Sequence, residues 1–136
     1  MKLKYILLFF LFGGCTFTSS KTKDPSFKTD QNTIAGYLTN TIDCERIDIT
    51  GTEENTNGNK ISELTIKIIN GVNLPSQKAE LELLGKKITF KLIENLTDPD
   101  EFDTFKLFFV TQQENGALKT NQYEGFVYKL APPVKP

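Results

Sequence analysis

Histidine is absent from all 136 residues of the chain. Its imidazole is the usual general base near neutral pH and the commonest metal ligand in proteins. The absence therefore excludes Ser-His-Asp and Cys-His catalysis, HExxH metalloprotease sites and zinc sites that need histidine. An enzyme with this sequence would have to use carboxylates, lysine, tyrosine or serine.

Cysteine and basic runs are also scarce. The two cysteines, Cys15 and Cys44, allow at most one disulfide bond, so a packed core has to stabilise the fold. No basic run is longer than Lys86-Lys87, and the formal net charge is −1. Because affinity for nucleic acid depends on neutralising phosphates, we expect no nucleic-acid partner.

The first residues do contain a long apolar run. Lys2 and Lys4 precede the apolar segment 5–12, and Gly13-Gly14 supply small residues for cleavage. These are the three parts of a secretory signal peptide, and the apolar segment is shorter than the roughly 20 residues that span a bilayer. We therefore predict that residues 1–14 are a signal peptide.

The residues around Cys15 indicate a lipid anchor. The sequence LFGGC, which ends at Cys15, resembles the lipobox of bacterial lipoproteins. The resemblance implies that diacylglycerol is joined to the Cys15 thiol, that cleavage makes Cys15 the first residue, and that the protein is held at a membrane of the cell envelope. Thr16 offers no acidic retention signal of the kind known for inner-membrane lipoproteins, so the outer membrane is favoured where the cell has one.

An ordinary signal peptide followed by an incidental cysteine is the alternative. With a lipid on Cys15, Cys44 has no disulfide partner. Without the lipid, a disulfide bond between Cys15 and Cys44 is the alternative. Removal of residues 1–14 leaves 122 residues with 14 basic and 17 acidic side chains, which gives a net charge of −3. This length is typical of a single domain.

Composition divides the rest of the chain into a tether, a domain and a tail. Residues 15–29 contain the lipidated cysteine and then a Ser-, Thr- and Lys-rich stretch with Pro25, which predicts a flexible tether. As a loose coil it would hold the domain roughly 20 Å from the lipid surface. Apolar periodicity predicts a single α+β domain over residues 30–130, and prolines predict an irregular tail over 131–136.

Within the domain, the patterns predict helices alternating with hairpins. A segment with apolar residues at helical spacing begins at Asp30, whose side chain can cap the N-terminus of a helix. Two alternating segments flank Asn57-Gly58, and two more flank a turn that contains Asn115-Gly116, so each pair predicts a β-hairpin.

Residues 76–96 fit two structures. A helix aligns apolar residues from Leu81 to Leu92 on one face but exposes Leu83 and Phe90. A hairpin formed by the strands AELEL and ITFKL does not require Leu83 and Phe90 to be exposed in this way. Length favours the helix. The order is then α-β-β-α-β-β, which predicts a two-layer α+β fold: an antiparallel four-stranded sheet with the helices on one face.

Acidic residues supply weak candidates for metal binding and catalysis. Asp98, Asp100 and Asp103 lie close together in a predicted loop, and carboxylates bind hard cations such as calcium. An EF-hand loop that starts at Asp98 would need glycine where Asp103 stands, so the match fails. Paired catalytic carboxylates, with Glu53-Glu54 as further candidates, would need a cleft that no pattern indicates. A solvated turn is the simpler interpretation, and we predict no cofactor.

Aromatic residues in the second hairpin define a candidate binding surface. If the helices cover one sheet face, the other carries Phe108 and Tyr123 together with Lys67 and Thr65. An exposed aromatic face of this kind binds a ligand or a partner protein. The alternative is a second apolar layer supplied by the linker, the tail or a second copy of the chain.

The sequence therefore predicts a lipid-anchored, non-enzymatic protein of the cell envelope that acts as a binding or interaction module. Its partners would be the membrane, through the anchor, and an envelope protein or small ligand. A carboxylate- or metal-dependent envelope enzyme and a structural assembly factor are the alternatives.

Overall fold

The computed structural model describes residues 17–129. The predicted signal peptide, Cys15 and the predicted tail over 131–136 lie outside this range. In chain order the elements are β1 (Thr18–Thr22), α1 (Gln31–Thr39), β2 (Arg46–Thr56), β3 (Asn59–Ile69), α2 (Lys78–Asn95), a 3-10 helix (Pro99–Glu101), β4 (Thr104–Asn115) and β5 (Leu118–Tyr128).

The strands form one mixed sheet in the order β1-β2-β3-β4-β5, in which β3 and β4 are parallel and all other neighbours are antiparallel. The α+β class is confirmed, but the four-stranded antiparallel sheet is wrong in strand number and direction. The direction follows from α2, which joins β3 to β4. Its 18 residues extend about 27 Å and return the chain along the sheet, so that β4 runs parallel to β3.

The additional strand, β1, lies within the segment 15–29 that predicted a flexible tether. It pairs with Thr52–Thr56 of β2, and the Lys21 ammonium lies 2.9 Å from the Glu53 carboxylate. Further along, Phe27 forms an isolated bridge with Leu96. This stretch is therefore part of the folded body, in contrast to the loose coil that its composition predicts.

The predicted hairpins and the helix over 76–96 are present. Asn57 and Gly58 have φ angles of 52° and 87°, and positive values at both central positions are what a type I′ turn requires. The second turn consists of Gly116 and Ala117, because β4 extends to Asn115 and β5 begins at Leu118. Of the two structures that residues 76–96 fit, the helix is the correct one, since Lys78–Asn95 form α2.

Both helices pack on the same face of the sheet. The fully buried side chains of the core include Ile34 and Leu38 from α1, Ile88 and Leu92 from α2, Leu64, Ile66 and Ile68 from β3, and Phe105 and Leu107 from β4. Tyr128 joins β5 to α2, since its hydroxyl donates to the Glu82 carbonyl oxygen over 3.0 Å. Burial, and secondly the Glu82 carboxylate, raise the pKa of Tyr128 to about 12.

The second hairpin extends beyond the rest of the sheet. β3 pairs with β4 only as far as Ile69 and Val110, so beyond this pair no third strand of the described residues pairs with β4 or β5. Asn70 marks the junction, because its side-chain oxygen accepts the Gln112 N–H over 2.8 Å. We call the exposed two-stranded segment 111–122 the arm.

α2 exposes the two residues that its helical form predicts. Leu83 is 67% exposed and Phe90 is 47% exposed. Within residues 17–129, neither helix has both the length and the apolar character needed to cross a membrane.

Thr89 of α2 gives a test of the core. It is 1% exposed, and its hydroxyl has no hydrogen-bond partner among the described residues. Thr89→Val keeps the shape and removes the buried polar atom, so we expect the free energy of unfolding to rise by about 1 kcal/mol in urea titrations. Thr33→Val, at an exposed position of α1, is the matched control and should change it by less than about 0.5 kcal/mol. A loss of stability in Thr89→Val alone would show that the hydroxyl is bonded.

Candidate functional site

One face of the sheet has no helix packed on it within residues 17–129. Successive side chains of a strand point to opposite faces, so the residues that alternate with the core residues belong to this second face. We call it the open face, and its central residues are Arg46, Asp48 and Thr50 of β2, Thr65, Lys67 and the buried Ile69 of β3, Lys106, Phe108 and the buried Val110 of β4, and Tyr123, Gly125 and Val127 of β5.

The three residues that sequence alternation placed on this face lie next to one another. Lys67 stands directly opposite Phe108 across the parallel β3–β4 pair. The rings of Phe108 and Tyr123 have centroids 6.5 Å apart and an interplanar angle of 89°, which is the favourable edge-to-face arrangement. Tyr123 is 57% exposed, whereas Phe108 is partly buried. Together they form a small aromatic surface beside an ammonium group.

Gly125, which we did not identify from the sequence, holds Phe108 in place. The two residues are register partners, and a Cβ on Gly125 would lie 2.5 Å from Phe108 Cε1. The ring therefore lies directly against the backbone of β5. A glycine inside a strand indicates such a close approach, so the sequence did contain the signal.

The charges on the open face are unevenly paired. Lys106 forms an ion pair with Glu63, and Arg46 Nε lies 2.9 Å from Asp48 Oδ1. Lys67, which is exposed, takes part in no ion pair or side-chain hydrogen bond with any other described residue. Its ammonium is therefore available to an acidic group of a partner.

A depression of about 360 Å³ borders the open face at the edge of β2, with Gln31, Asp48 and Lys67 in its lining. β1 covers β2 only over Thr52–Thr56. Among the described residues, the edge from Arg46 to Thr50 consequently has no neighbouring strand. The depression extends the polar part of the open face around this edge.

The acidic loop uses its carboxylates for structure. Asp98 Oδ1 accepts the Asp100 N–H over 3.2 Å at the start of the 3-10 helix. Asp103 Oδ2 accepts the Ser62 N–H over 2.8 Å, and the Asp103 N–H donates to the Ser62 carbonyl over 2.8 Å. Across residues 17–129 there is no group of three His, Cys, Asp or Glu side chains that could hold a metal. Of the weak metal candidates, Asp98 thus caps the 3-10 helix and Asp103 binds Ser62 of β3, whereas the Asp100 side chain makes no hydrogen bond with another described residue.

Glu53 and Glu54 do not form a carboxylate pair. As neighbours on β2 they point to opposite faces of the sheet. The hydrogen bond from Lys21 is the main cause that lowers the pKa of Glu53, and a general acid needs the opposite shift. This arrangement fits a surface ion pair.

Cys44 packs partly buried against the core and has no disulfide partner among the described residues. Burial, followed by the Asp43 carboxylate, raises the pKa of its thiol. Because the thiolate is the reactive form, this environment disfavours a nucleophilic role.

No protein-family model matched the chain, and no similar curated protein or solved structure was found. The open face is therefore assigned a role from its geometry and chemistry.

Asp103→Ala tests whether the acidic loop is structural. Loss of the charged acceptor leaves the Ser62 N–H unpaired, so we expect the free energy of unfolding to fall by about 1–3 kcal/mol, with or without millimolar calcium. The measurement is urea unfolding of wild type and variant, with Asp100→Ala as the control because its side chain makes no hydrogen bond among the described residues. Calcium-dependent stabilisation of the wild type that is lost in Asp103→Ala would instead indicate a cation site.

Proposed function

We propose that the chain is a lipid-anchored, non-enzymatic protein of the cell envelope that binds a partner through the open face. The observation that carries this proposal is the edge-to-face pair of Phe108 and Tyr123 beside Lys67, whose ammonium forms no ion pair within residues 17–129, on a face that no helix of the same residues covers.

The chemistry of the open face favours a partner with an acidic group next to an apolar or ring-shaped surface. Tyr123 and Val127, which are 57% and 59% exposed, offer the apolar contact. Lys67 offers the charge, and the hydroxyls of Thr50 and Thr65 offer hydrogen bonds. A few polar groups beside aromatic surface are typical of ligand and protein interfaces. A segment of an envelope protein or a small acidic ligand has this chemistry, and a role in envelope assembly would use the same face.

The anchor at Cys15 determines where this binding takes place. The Phe17 N–H donates to the Asn57 side chain over 3.3 Å, and the Asn57 N–H donates to the Phe17 carbonyl over 3.3 Å. The folded body therefore begins two residues after Cys15, which corresponds to at most about 7 Å of extended chain. A lipid on Cys15 would hold the body against the membrane surface, in place of the roughly 20 Å spacing of a loose coil.

Variants of the open face test the binding proposal. The chain from Thr16 to Pro136 is used to capture proteins from solubilised envelopes, and the affinity of the captured partner is then measured by calorimetry. We expect Phe108→Ala with Tyr123→Ala, and separately Lys67→Glu, to weaken binding by roughly tenfold or more, because central aromatic and charged residues dominate interfaces.

Leu118→Ala is the matched control, since Leu118 is a 74% exposed apolar residue at the end of the arm. It should leave the affinity unchanged. If both open-face variants keep their circular dichroism spectra and the wild-type affinity, the open face is not the binding surface.

Mass spectrometry of the protein purified from its native membrane tests the anchor. We expect the mature chain to begin at Cys15 and to carry diacylglycerol on its sulfur, and we expect Cys15→Ala to move the protein into the soluble fraction. An N-terminus elsewhere, or an unmodified thiol at Cys15, would refute the anchor while leaving the open face as a binding surface.

A further inference from the structure

The outer side of α2 has apolar residues where a surface helix is normally polar. Leu83 and Phe90 are seven residues apart, so they lie on the same side of the helix, opposite the buried Ile88 and Leu92. Lys86 and Lys87 lie between them along the helix, one on each side of the line that joins them. We call these four exposed residues, Leu83, Lys86, Lys87 and Phe90, the α2 stripe.

The two lysines of the α2 stripe are available to an external anion. Lys86 Nζ lies 5.9 Å from the centroid of the Phe90 ring, which is within reach of a cation–π contact. Neither Lys86 nor Lys87 takes part in an ion pair or side-chain hydrogen bond with another described residue. The α2 stripe thus combines two exposed apolar side chains with two cations that have long flexible stems.

We propose that the α2 stripe rests on an anionic phospholipid bilayer, with Leu83 and Phe90 in the interface and Lys86 and Lys87 at the lipid phosphates. Apolar side chains flanked by lysine are the composition that binds helices to such surfaces. The inference rests on the proposed anchor, because Cys15 is separated from the start of the fold at Phe17 by Thr16 alone, and so short a connection would keep the body within reach of the headgroups.

Charge argues for a bilayer over a second copy of the chain. Two copies that met through their α2 stripes would bring four lysines together, and like charges across an interface are unfavourable. A negatively charged bilayer neutralises the same lysines. The sheet lies between α2 and the open face, so a body resting on the α2 stripe presents Lys67, Phe108 and Tyr123 away from the membrane.

Tryptophan fluorescence measures which side meets the bilayer, because the chain has no tryptophan of its own. Phe90→Trp reports on the α2 stripe, and Tyr123→Trp, at an exposed aromatic position of the open face, is the matched control. The chain from Thr16 to Pro136 also lacks histidine, so an added N-terminal hexahistidine attaches it to nickel-chelating lipid at the position of the anchor. The vesicles contain phosphatidylglycerol, phosphatidylcholine and brominated acyl chains.

We expect the fluorescence of Phe90→Trp to shift to shorter wavelength and to be quenched by the bromines, whereas Tyr123→Trp remains unquenched. Without the hexahistidine, sedimentation with the same vesicles should show that Leu83→Ser lowers the partition coefficient by roughly tenfold. Lys86→Gln with Lys87→Gln should lower it by at least roughly tenfold, and only when phosphatidylglycerol is present.

Three results would overturn the proposal: quenching of Tyr123→Trp in place of Phe90→Trp, quenching of neither, or a blue shift of Phe90→Trp without vesicles that accompanies a dimer in sedimentation equilibrium. The last result would assign the α2 stripe to a second copy. Loss of partner binding in the open-face variants is measured without membranes, so it bears on the proposed function alone, and failure of bromine quenching bears on the α2 stripe alone.

Discussion

The packing of α2 against one face of the sheet determines most of the remaining structure. Ile88 and Leu92 of α2 are fully buried against the strands, and Gly85 allows the close approach, since a Cβ there would lie 2.8 Å from the Tyr128 hydroxyl oxygen. A helix held along the sheet returns the chain for a parallel strand, which puts β4 beside β3. It also leaves the opposite face of the sheet without a helix from the part of the chain that the structure describes, and it turns Leu83 and Phe90 outward.

Sequence patterns predicted the elements of this fold better than their arrangement. Apolar alternation and the Asn57-Gly58 turn identified the first hairpin, because both are local properties of the chain. β1 was missed because its five residues, Thr18–Thr22, are polar and exposed, and backbone pairing with β2 and surface contacts hold it in place. The parallel pairing of β3 and β4 was missed because alternation within a strand does not encode the direction of its neighbour.

The residues of the candidate site were predicted from the alternation of side chains between the two faces of a strand. Which face a residue occupies depends on its position within its own strand, so Lys67, Phe108 and Tyr123 share a face even though the predicted number and direction of the strands were wrong. The pairing of Lys67 with Phe108 depends on the parallel β3–β4 register, which was not predicted, whereas Phe108 and Tyr123 meet within the predicted antiparallel hairpin. The roles of Gly125 and Asp103 were also missed, because each acts on a residue distant in sequence, Phe108 and Ser62 respectively.

The arm has a thermodynamic consequence for the open face. Beyond the Ile69–Val110 pair, no third strand and no buried side chain of residues 17–129 supports the arm, so it can open locally at a lower free-energy cost than global unfolding. Tyr123 is paired with Val110 at the base of the arm, whereas Phe108 lies inside the supported sheet. A partner that contacts both rings would meet one ring that is already ordered and one whose ordering costs conformational entropy. Changes in the stiffness of the arm can therefore adjust the affinity for a partner that does not touch the arm itself.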